Sequence, residues 1–118
     1  NTIFYSATDA IGALQEKATT FLMDLTQKGR DDAKCIAVWK LGEIQDPRCV
    51  DCLISIIRGN TQNADLLALA TWALGEVARK QKNDKSIVAA LYRASRSKIH
   101  SVKQLAYIAM NKARDYVN

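Results

Sequence analysis

Apolar side chains recur every three or four residues over most of this chain, which is the spacing of one face of an α-helix. In the segment Ala33–Ile44 the apolar arc is wide, because Ile36 and Trp39 stand beside the main stripe. The segment Leu66–Val77 has the same arrangement, with a leucine and a tryptophan in the flanking positions. A helix that is apolar on both stripe and flank contacts more than one neighbour, so both segments are predicted to be central helices of a stack.

These two segments are copies of one motif. Residues 37–44 read Ala-Val-Trp-Lys-Leu-Gly-Glu-Ile, and residues 70–77 read Ala-Thr-Trp-Ala-Leu-Gly-Glu-Val, at an offset of 33 residues. A weaker third copy over residues 102–113 follows at an offset of 36 and lacks the tryptophan and the glycine. A period of this length is typical of a solenoid, in which each unit buries a face only against its neighbours.

Amphipathic segments between the copies supply the second helix of each pair. They are predicted at about Thr8–Gln27, Pro47–Arg58 and Lys85–Arg96. The middle one has the clearest start, because Asp46 can cap its free N–H groups and Pro47 needs no donor at the first helical position. Asp84 is predicted to cap the next one, and Gly59-Asn60 to end the middle one. The predicted buried stripe of the middle helix is Val50, Leu53, Ile54 and Ile57.

The motif running from Leu41 to Ile54, with its copy at residues 70–77, resembles the HEAT-like repeat of the armadillo-type superfamily, in particular the phycobilisome-lyase subtype. The resemblance implies an all-α fold: a right-handed α-α superhelix of about three helix pairs with a concave inner surface. We expect one domain over residues 1–118, with units at roughly 8–44, 47–77 and 84–117. The same repeat serves adaptors, chaperones, lyase subunits and nucleic-acid enzymes, so it indicates a scaffold and leaves the ligand open.

Length and composition agree with a single domain. The chain has 118 residues, of which 48% are hydrophobic and 25% charged, enough for a sizeable core. No apolar run approaches the roughly 20 residues that span a bilayer, so we expect no membrane segment. Three cysteines, an odd number in a chain that needs no disulfide, favour a reducing compartment, and we expect a cytoplasmic protein.

Two residue types that recur in the motif suggest packing or chemistry. A glycine in mid-helix costs about 1 kcal/mol relative to alanine, so Gly42 and Gly75 predict close approach of a neighbouring helix. Glu43 and Glu76 follow them at repeat spacing. They are candidates for an acid–base pair or for metal ligands, but pairing with a neighbouring cation explains the same spacing without a ligand.

The aromatic and sulfur-containing residues also have two interpretations each. Trp39 and Trp72 either form a stacking surface for a peptide or base, or pack between units. Cys49 and Cys52 have redox-motif spacing at a helix start, where the helix dipole lowers a thiol pKa. No strand–helix–strand pattern surrounds them, and a zinc site would need ligands beyond Cys35 and His100. The sequence favours packing in both cases.

The usual signatures of catalysis are missing from the sequence. It contains no glycine-rich phosphate loop and no nucleophile elbow. His100 is the only histidine, which disfavours the iron-binding HEAT enzymes of the deoxyhypusine hydroxylase kind, whose paired His-Glu motifs the chain lacks. We therefore predict neither a catalytic residue nor a cofactor.

Positive charge is concentrated in the second half of the chain. Residues 1–59 carry seven Lys/Arg and eight Asp/Glu, whereas residues 60–118 carry ten and four. Such a region attracts phosphate backbones or acidic protein surfaces, or is simply a solvated face. The residues predicted to bind a partner are Arg79, Lys80, Lys82, Lys85, Arg93, Arg96, Lys98 and Lys103.

Three functions are compatible with these patterns. The first is a non-enzymatic scaffold or adaptor that presents the inner helices of the stack to another protein. The second is a nucleic-acid-binding module that uses the basic region between residues 79 and 114, as HEAT-type DNA glycosylases do. The third, which only the subtype resemblance suggests, is a subunit of a bilin lyase-type enzyme.

The first segment is more apolar than a terminal unit of a solenoid requires. Its large apolar residues are Ile3, Phe4, Tyr5, Ile11, Leu14, Phe21, Leu22 and Leu25. Much of this surface is expected to cover the first repeat. Any remainder is an exposed apolar patch, which favours either a weak homodimer or a protein partner.

Overall fold

A computed structural model describes residues 2–59 and 61–114, and this part of the chain is entirely helical apart from its turns. The α-helices are α1 (Thr2–Lys28), α2 (Asp31–Ile44), α3 (Val50–Arg58), α4 (Ala64–Ala78), α5 (Lys85–Ser95) and α6 (His100–Ala113). A 3-10 turn, Pro47–Cys49, leads into α3. The predicted all-α class is thus confirmed for the described residues.

Side chains are described for residues 9–59 and 61–114. Three predictions concern residues outside these ranges. They are the apolar side chains of Ile3, Phe4 and Tyr5, the end of the middle helix at Asn60, and the end of the third unit at residues 115–117. The unit bounds therefore stay a prediction.

The predicted helix starts are set by short polar side chains. The Asp46 carboxylate accepts the Arg48 N–H at 2.9 Å, and the Asp84 carboxylate accepts the N–H groups of Ser86 and Ile87 at 2.9 and 3.2 Å. Both predicted caps are confirmed. The middle helix differs in one detail: Pro47 opens the 3-10 turn, and the α-helix itself begins at Val50.

The helices form two layers. A front layer consists of α2, α4 and α6, which pack side by side in that order, and a back layer consists of α1, α3 and α5. Each back helix also packs on the front helix that follows it in the chain. The molecule is only 18 Å thick against 54 and 43 Å in the other directions, as expected for two helix layers.

The hydrophobic core lies between the two layers. Its largest fully buried side chains come from both, among them Leu41 and Leu74 in front and Leu53, Ile87 and Leu91 behind. The buried stripe of α3 differs by one residue from the prediction, because Ile56 is buried and Ile54 is only half-buried. The wide apolar arc of α3 allows this small rotation, since Ile54 and Ile56, on either side of Leu53 and Ile57, are both apolar.

The motif glycines lie where front-layer helices approach each other. A Cβ atom on Gly42 would overlap the Trp72 ring and lie 3.0 Å from the Ala73 Cβ. A Cβ atom on Gly75 would lie 2.5 Å from the Ala109 Cβ. The predicted role of both glycines, close approach of a neighbouring helix, is confirmed.

Candidate functional site

Three pairs of apolar side chains stand at repeat-equivalent positions on the front layer. They are Ile36 and Trp39 on α2, Leu69 and Trp72 on α4, and Leu105 and Ile108 on α6. We call these six residues the repeat face. Ile36 is 60% exposed, Trp39 46% and Ile108 51%, whereas Leu69, Trp72 and Leu105 are half-buried, so the fold covers this face only in part. Exposed apolar residues that recur at repeat spacing form a surface suited to a protein partner.

The middle of the repeat face is concave. A cleft of about 530 Å³ lies across α2, α4 and α6 and is open to solvent. Leu69, Trp72 and Leu105 line it together with Cys35, Ala68 and Asp65. A mostly apolar cleft with a single charged residue in its wall can hold an apolar side chain and orient it through one polar contact.

Carboxylates stand along the edge of this cleft, at the amino-terminal ends of α2 and α4. Asp31 and Asp32 begin α2, and Asp65 lies in the first turn of α4. The pKa of the Cys35 thiol is raised, first by burial and then by the charges of Asp65, Asp31 and Asp32. This edge therefore carries negative charge in a protein that is positive overall.

The motif glutamates are engaged in ion pairs. Glu76 accepts a hydrogen bond from Lys112 on α6 at 2.9 Å, and its other oxygen lies 3.1 Å from Nε of Arg79. Glu43 lies 3.3 Å from the exposed Lys40 ammonium. Both glutamates therefore pair with cations, which explains their repeat spacing without a ligand. Among the described residues, no cluster of three or more Asp, Glu, His or Cys has a geometry that could hold a metal ion.

The two tryptophans have different environments. Trp72 is half-buried and packs over Gly42 of the preceding front helix, as expected for packing between units. Trp39 has no preceding front helix among the described residues, and almost half of its surface is open to solvent. The Lys40 ammonium lies 4.4 Å from the centre of its ring. Trp39 thus remains available as a stacking or apolar contact surface.

The cysteine pair at the start of α3 is a packing feature. Cys49 is fully buried, and burial, followed by the charges of Asp46 and Cys52, raises its pKa to about 12. A thiol with so high a pKa is a poor nucleophile, so the helix dipole does not activate it. Cys49 and Cys52 are both free thiols.

The eight predicted basic residues are exposed, but they form two groups rather than one patch. Arg79, Lys80, Lys82 and Lys85 lie around the α4–α5 connection, and Arg93, Arg96, Lys98 and Lys103 lie around the α5–α6 connection. The Asn83 N–H donates to the Ala113 carbonyl at 2.8 Å, which holds the first connection against the end of α6 and near Arg114. The 11-residue helix α5 separates the two groups by about 15 Å.

No protein-family model matches the chain, and no curated protein matches it significantly. None of the described helices combines the length and the apolar character that crossing a bilayer requires.

Sequence reasoning missed the repeat face as an exposed site. The flanking residues of the three copies were recognised, but they were expected to be covered by neighbouring units. The signal that could have identified the face is that its flank positions stay apolar in all three copies, even where the motif tryptophan and glycine are lost. The exposed state of Ile36 and Ile108 required the packing of the layers.

Proposed function

We propose that this protein is a non-enzymatic interaction module, built on HEAT-like repeats, that binds another protein through its repeat face. In this proposal the two helix layers form a short right-handed superhelix, and the front layer is its concave inner side. The protein acts as a scaffold or adaptor in the cytoplasm and uses no cofactor.

One observation carries the proposal: large apolar side chains recur across all three front helices, exposed at Ile36, Trp39 and Ile108 and half-buried on α4. Full burial of an apolar side chain contributes about 1.5–3 kcal/mol, so a partner that covers the exposed parts of Ile36 and Ile108 gains binding free energy from them. Trp39 and Trp72 also belong to the residue types that dominate binding energy at protein interfaces.

The chemistry of the face favours a partner segment with an apolar side and a basic flank. The cleft takes apolar side chains, and Asp65 in its wall attracts a cation placed beside them. The negative charges of Asp31 and Asp32 lie along the same edge. An amphipathic helix with lysine or arginine on one flank satisfies both requirements.

Affinity capture from an extract of cells that contain the protein tests this proposal. Nuclease-treated extract is passed over the wild-type protein and over the Ile108→Glu variant, and bound proteins are identified by mass spectrometry. A partner of the repeat face is retained by the wild type and lost from Ile108→Glu, since a buried unpaired carboxylate opposes docking.

Tyr107→Glu supplies the matched control. Tyr107 is the neighbouring residue on α6, it is 53% exposed against 51% for Ile108, and it does not belong to the repeat face. Its variant should retain the partner. Equal loss of the partner from both variants, or capture that neither change affects, would contradict the proposal.

A second candidate function is nucleic-acid binding, which the group Arg79, Lys80, Lys82 and Lys85 favours. All four are exposed around one connection. Two carboxylates lie beside them: Asp84 is engaged in capping α5, and Glu76 pairs with Arg79.

Salt dependence of binding to a labelled DNA duplex tests the second candidate. Four phosphate contacts predict a slope of about −3.6 in log affinity against log salt, and engagement of both basic groups predicts about −7. Lys80→Glu with Lys82→Glu should weaken binding, whereas Lys28→Glu on α1 should not. Affinity that is undetectable at low salt would reject this function.

A further inference from the structure

The first helix exposes an apolar stripe that no part of the described chain covers. Ile11 is 59% exposed, Leu14 68% and Phe21 63%, and Ala18 between them is also exposed. The side of α1 that packs against the rest of the protein is not this stripe, and Thr19 and Thr26 are buried there. α1 therefore has two contact faces, of which the fold uses one.

The stripe has the spacing of a coiled-coil seam. Its members are Ile11, Leu14, Ala18, Phe21 and Leu25, separated alternately by three and four residues; the first four are exposed and Leu25 is half-buried. This is the a/d pattern of a heptad repeat, in which Ile11, Ala18 and Leu25 take a positions. Lys17 and Asp24 then take g positions, which flank the seam. Such a stripe is suited to pairing with another helix along its length.

We propose that α1 pairs with α1 of a second copy of this chain in an antiparallel, two-fold symmetric dimer. In an antiparallel pair, a residues face d residues and g residues face g residues. The register that sets Ala18 opposite Phe21 of the second copy also sets Leu14 opposite Leu25. Small residues then face large ones at the centre of the seam, which allows the helices to approach closely.

Charge complementarity supports this register and this occupant. Setting Ala18 opposite Phe21 brings Lys17 of each copy to Asp24 of the other, so two opposite-charge pairs form per dimer. Both side chains are exposed in the single chain. In the single chain, Asp24 already lies 3.3 Å from the exposed Lys28 ammonium. In the dimer, Lys17 of the second copy approaches the other side of the Asp24 carboxylate.

The opposite flank of the molecule does not suit self-pairing. There α5 and α6 form an apolar groove of about 510 Å³, with Tyr92 and Met110 in its wall and Lys85 and Arg114 as its charged residues. Two copies of this groove would bring cations against cations. The α1 stripe is therefore the surface suited to a symmetric contact between copies.

Sedimentation equilibrium of the protein over concentrations up to about 1 mM tests the dimer, since that range detects even weak association. We expect a monomer–dimer equilibrium. Phe21→Glu should abolish it, whereas Tyr92→Glu, at an aromatic residue of α5 that is 55% exposed against 63% for Phe21, should leave it unchanged. A strict monomer, or a dimer that survives Phe21→Glu, overturns the proposal.

Two single charge reversals test the register. Lys17→Asp and Asp24→Lys each replace both attractive pairs by repulsive ones, and each should weaken dimerisation by roughly tenfold. An equimolar mixture of the two variants restores attraction at both pairs and should dimerise as the wild type does. Damage to the fold of either variant cannot produce this recovery, because recovery requires contact between different copies.

The mixture therefore separates this register from other arrangements. In a parallel pair Lys17 faces Leu22 of the second copy, and a contact between unlike surfaces does not bring Lys17 to Asp24 at all. In those cases the mixture associates no more tightly than either variant alone, and that result overturns the antiparallel pair. Thermal unfolding of each variant checks that its monomer remains folded.

Discussion

Ala109 of α6 occupies the space that a side chain on Gly75 of α4 would need. A Cβ atom on Gly75 would lie 2.5 Å from the Ala109 Cβ and 2.9 Å from its Cα. The second distance is to backbone, which cannot move away as a flexible side chain can. Next to this contact, Glu76 of α4 pairs with Lys112 of α6, so the glycine lies where the third helix pair attaches to the second.

Gly75→Ala should therefore destabilise the protein, although alanine is the better helix former. Overpacking of this kind costs about 1–3 kcal/mol. Gly12→Ala is the matched control, because a Cβ on Gly12 meets nothing within 4 Å and α1 is exposed there. That change should stabilise by about 0.5–1 kcal/mol. Urea unfolding of both variants measures the two changes in the free energy of unfolding. Changes of the same sign in the two variants would contradict the packing described for Gly75.

The repeated glutamates should differ in their contribution to stability. The side chain of Glu76 is only 12% exposed and pairs with two cations, so Glu76→Ala leaves the half-buried Lys112 without its carboxylate. We expect a loss of about 1–3 kcal/mol. Glu43→Ala should change stability by less than about 0.5 kcal/mol, because its pair with Lys40 is exposed. Chemical denaturation compares them, and equal losses would show that repeat position rather than burial decides.

Asp84 should make the stability of the third helix pair depend on pH. Its pKa is lowered, first by the side-chain hydrogen bond from Ser86 and then by the backbone N–H of Ile87. A carboxyl group whose pKa is lower in the folded state than in the unfolded state stabilises the fold at pH values above its unfolded-state pKa of about 3.9. That contribution is lost as the pH falls through the folded-state pKa.

The corresponding measurement is thermal unfolding of Asp84→Ala at several pH values. At neutral pH the variant should lose about 1 kcal/mol, as other N-cap deletions do. The difference from wild type should shrink below about pH 4, where the wild-type carboxyl also loses its charge. Asp84→Asn retains a capping oxygen and should lose less at neutral pH. A difference that is constant with pH would exclude an ionised cap.

Cys49 should be the least reactive of the three thiols. It is fully buried with a pKa of about 12, whereas Cys35 and Cys52 are each partly exposed. Iodoacetamide labelling at mildly alkaline pH, read by mass spectrometry, should modify Cys49 only after the chain is unfolded in urea. Rapid labelling of Cys49 in the folded protein, or ready formation of a Cys49–Cys52 disulfide, would contradict a packing role.

Much of the local structure could be predicted from the sequence alone. A helix can be predicted from an apolar stripe at helical spacing and a polar residue that caps its start. Asp46 and Asp84 are such caps, and each accepts a backbone N–H only two residues further along the chain. The recurrence of glycine at positions 42 and 75 likewise implied close helix approach, because a mid-helix glycine is costly unless something occupies the space of its missing side chain.

Exposure was decided only by the tertiary structure. Trp39 and Trp72 occupy the same place in the repeat, yet Trp72 packs on Gly42 while Trp39 has no preceding front helix to cover it. The basic residues likewise follow one another in sequence but lie at opposite ends of α5. Sequence determines what each helix can bury, because periodicity is a local property. Which of those surfaces meets a neighbour depends on the order in which the layers pack, which is a property of the whole chain.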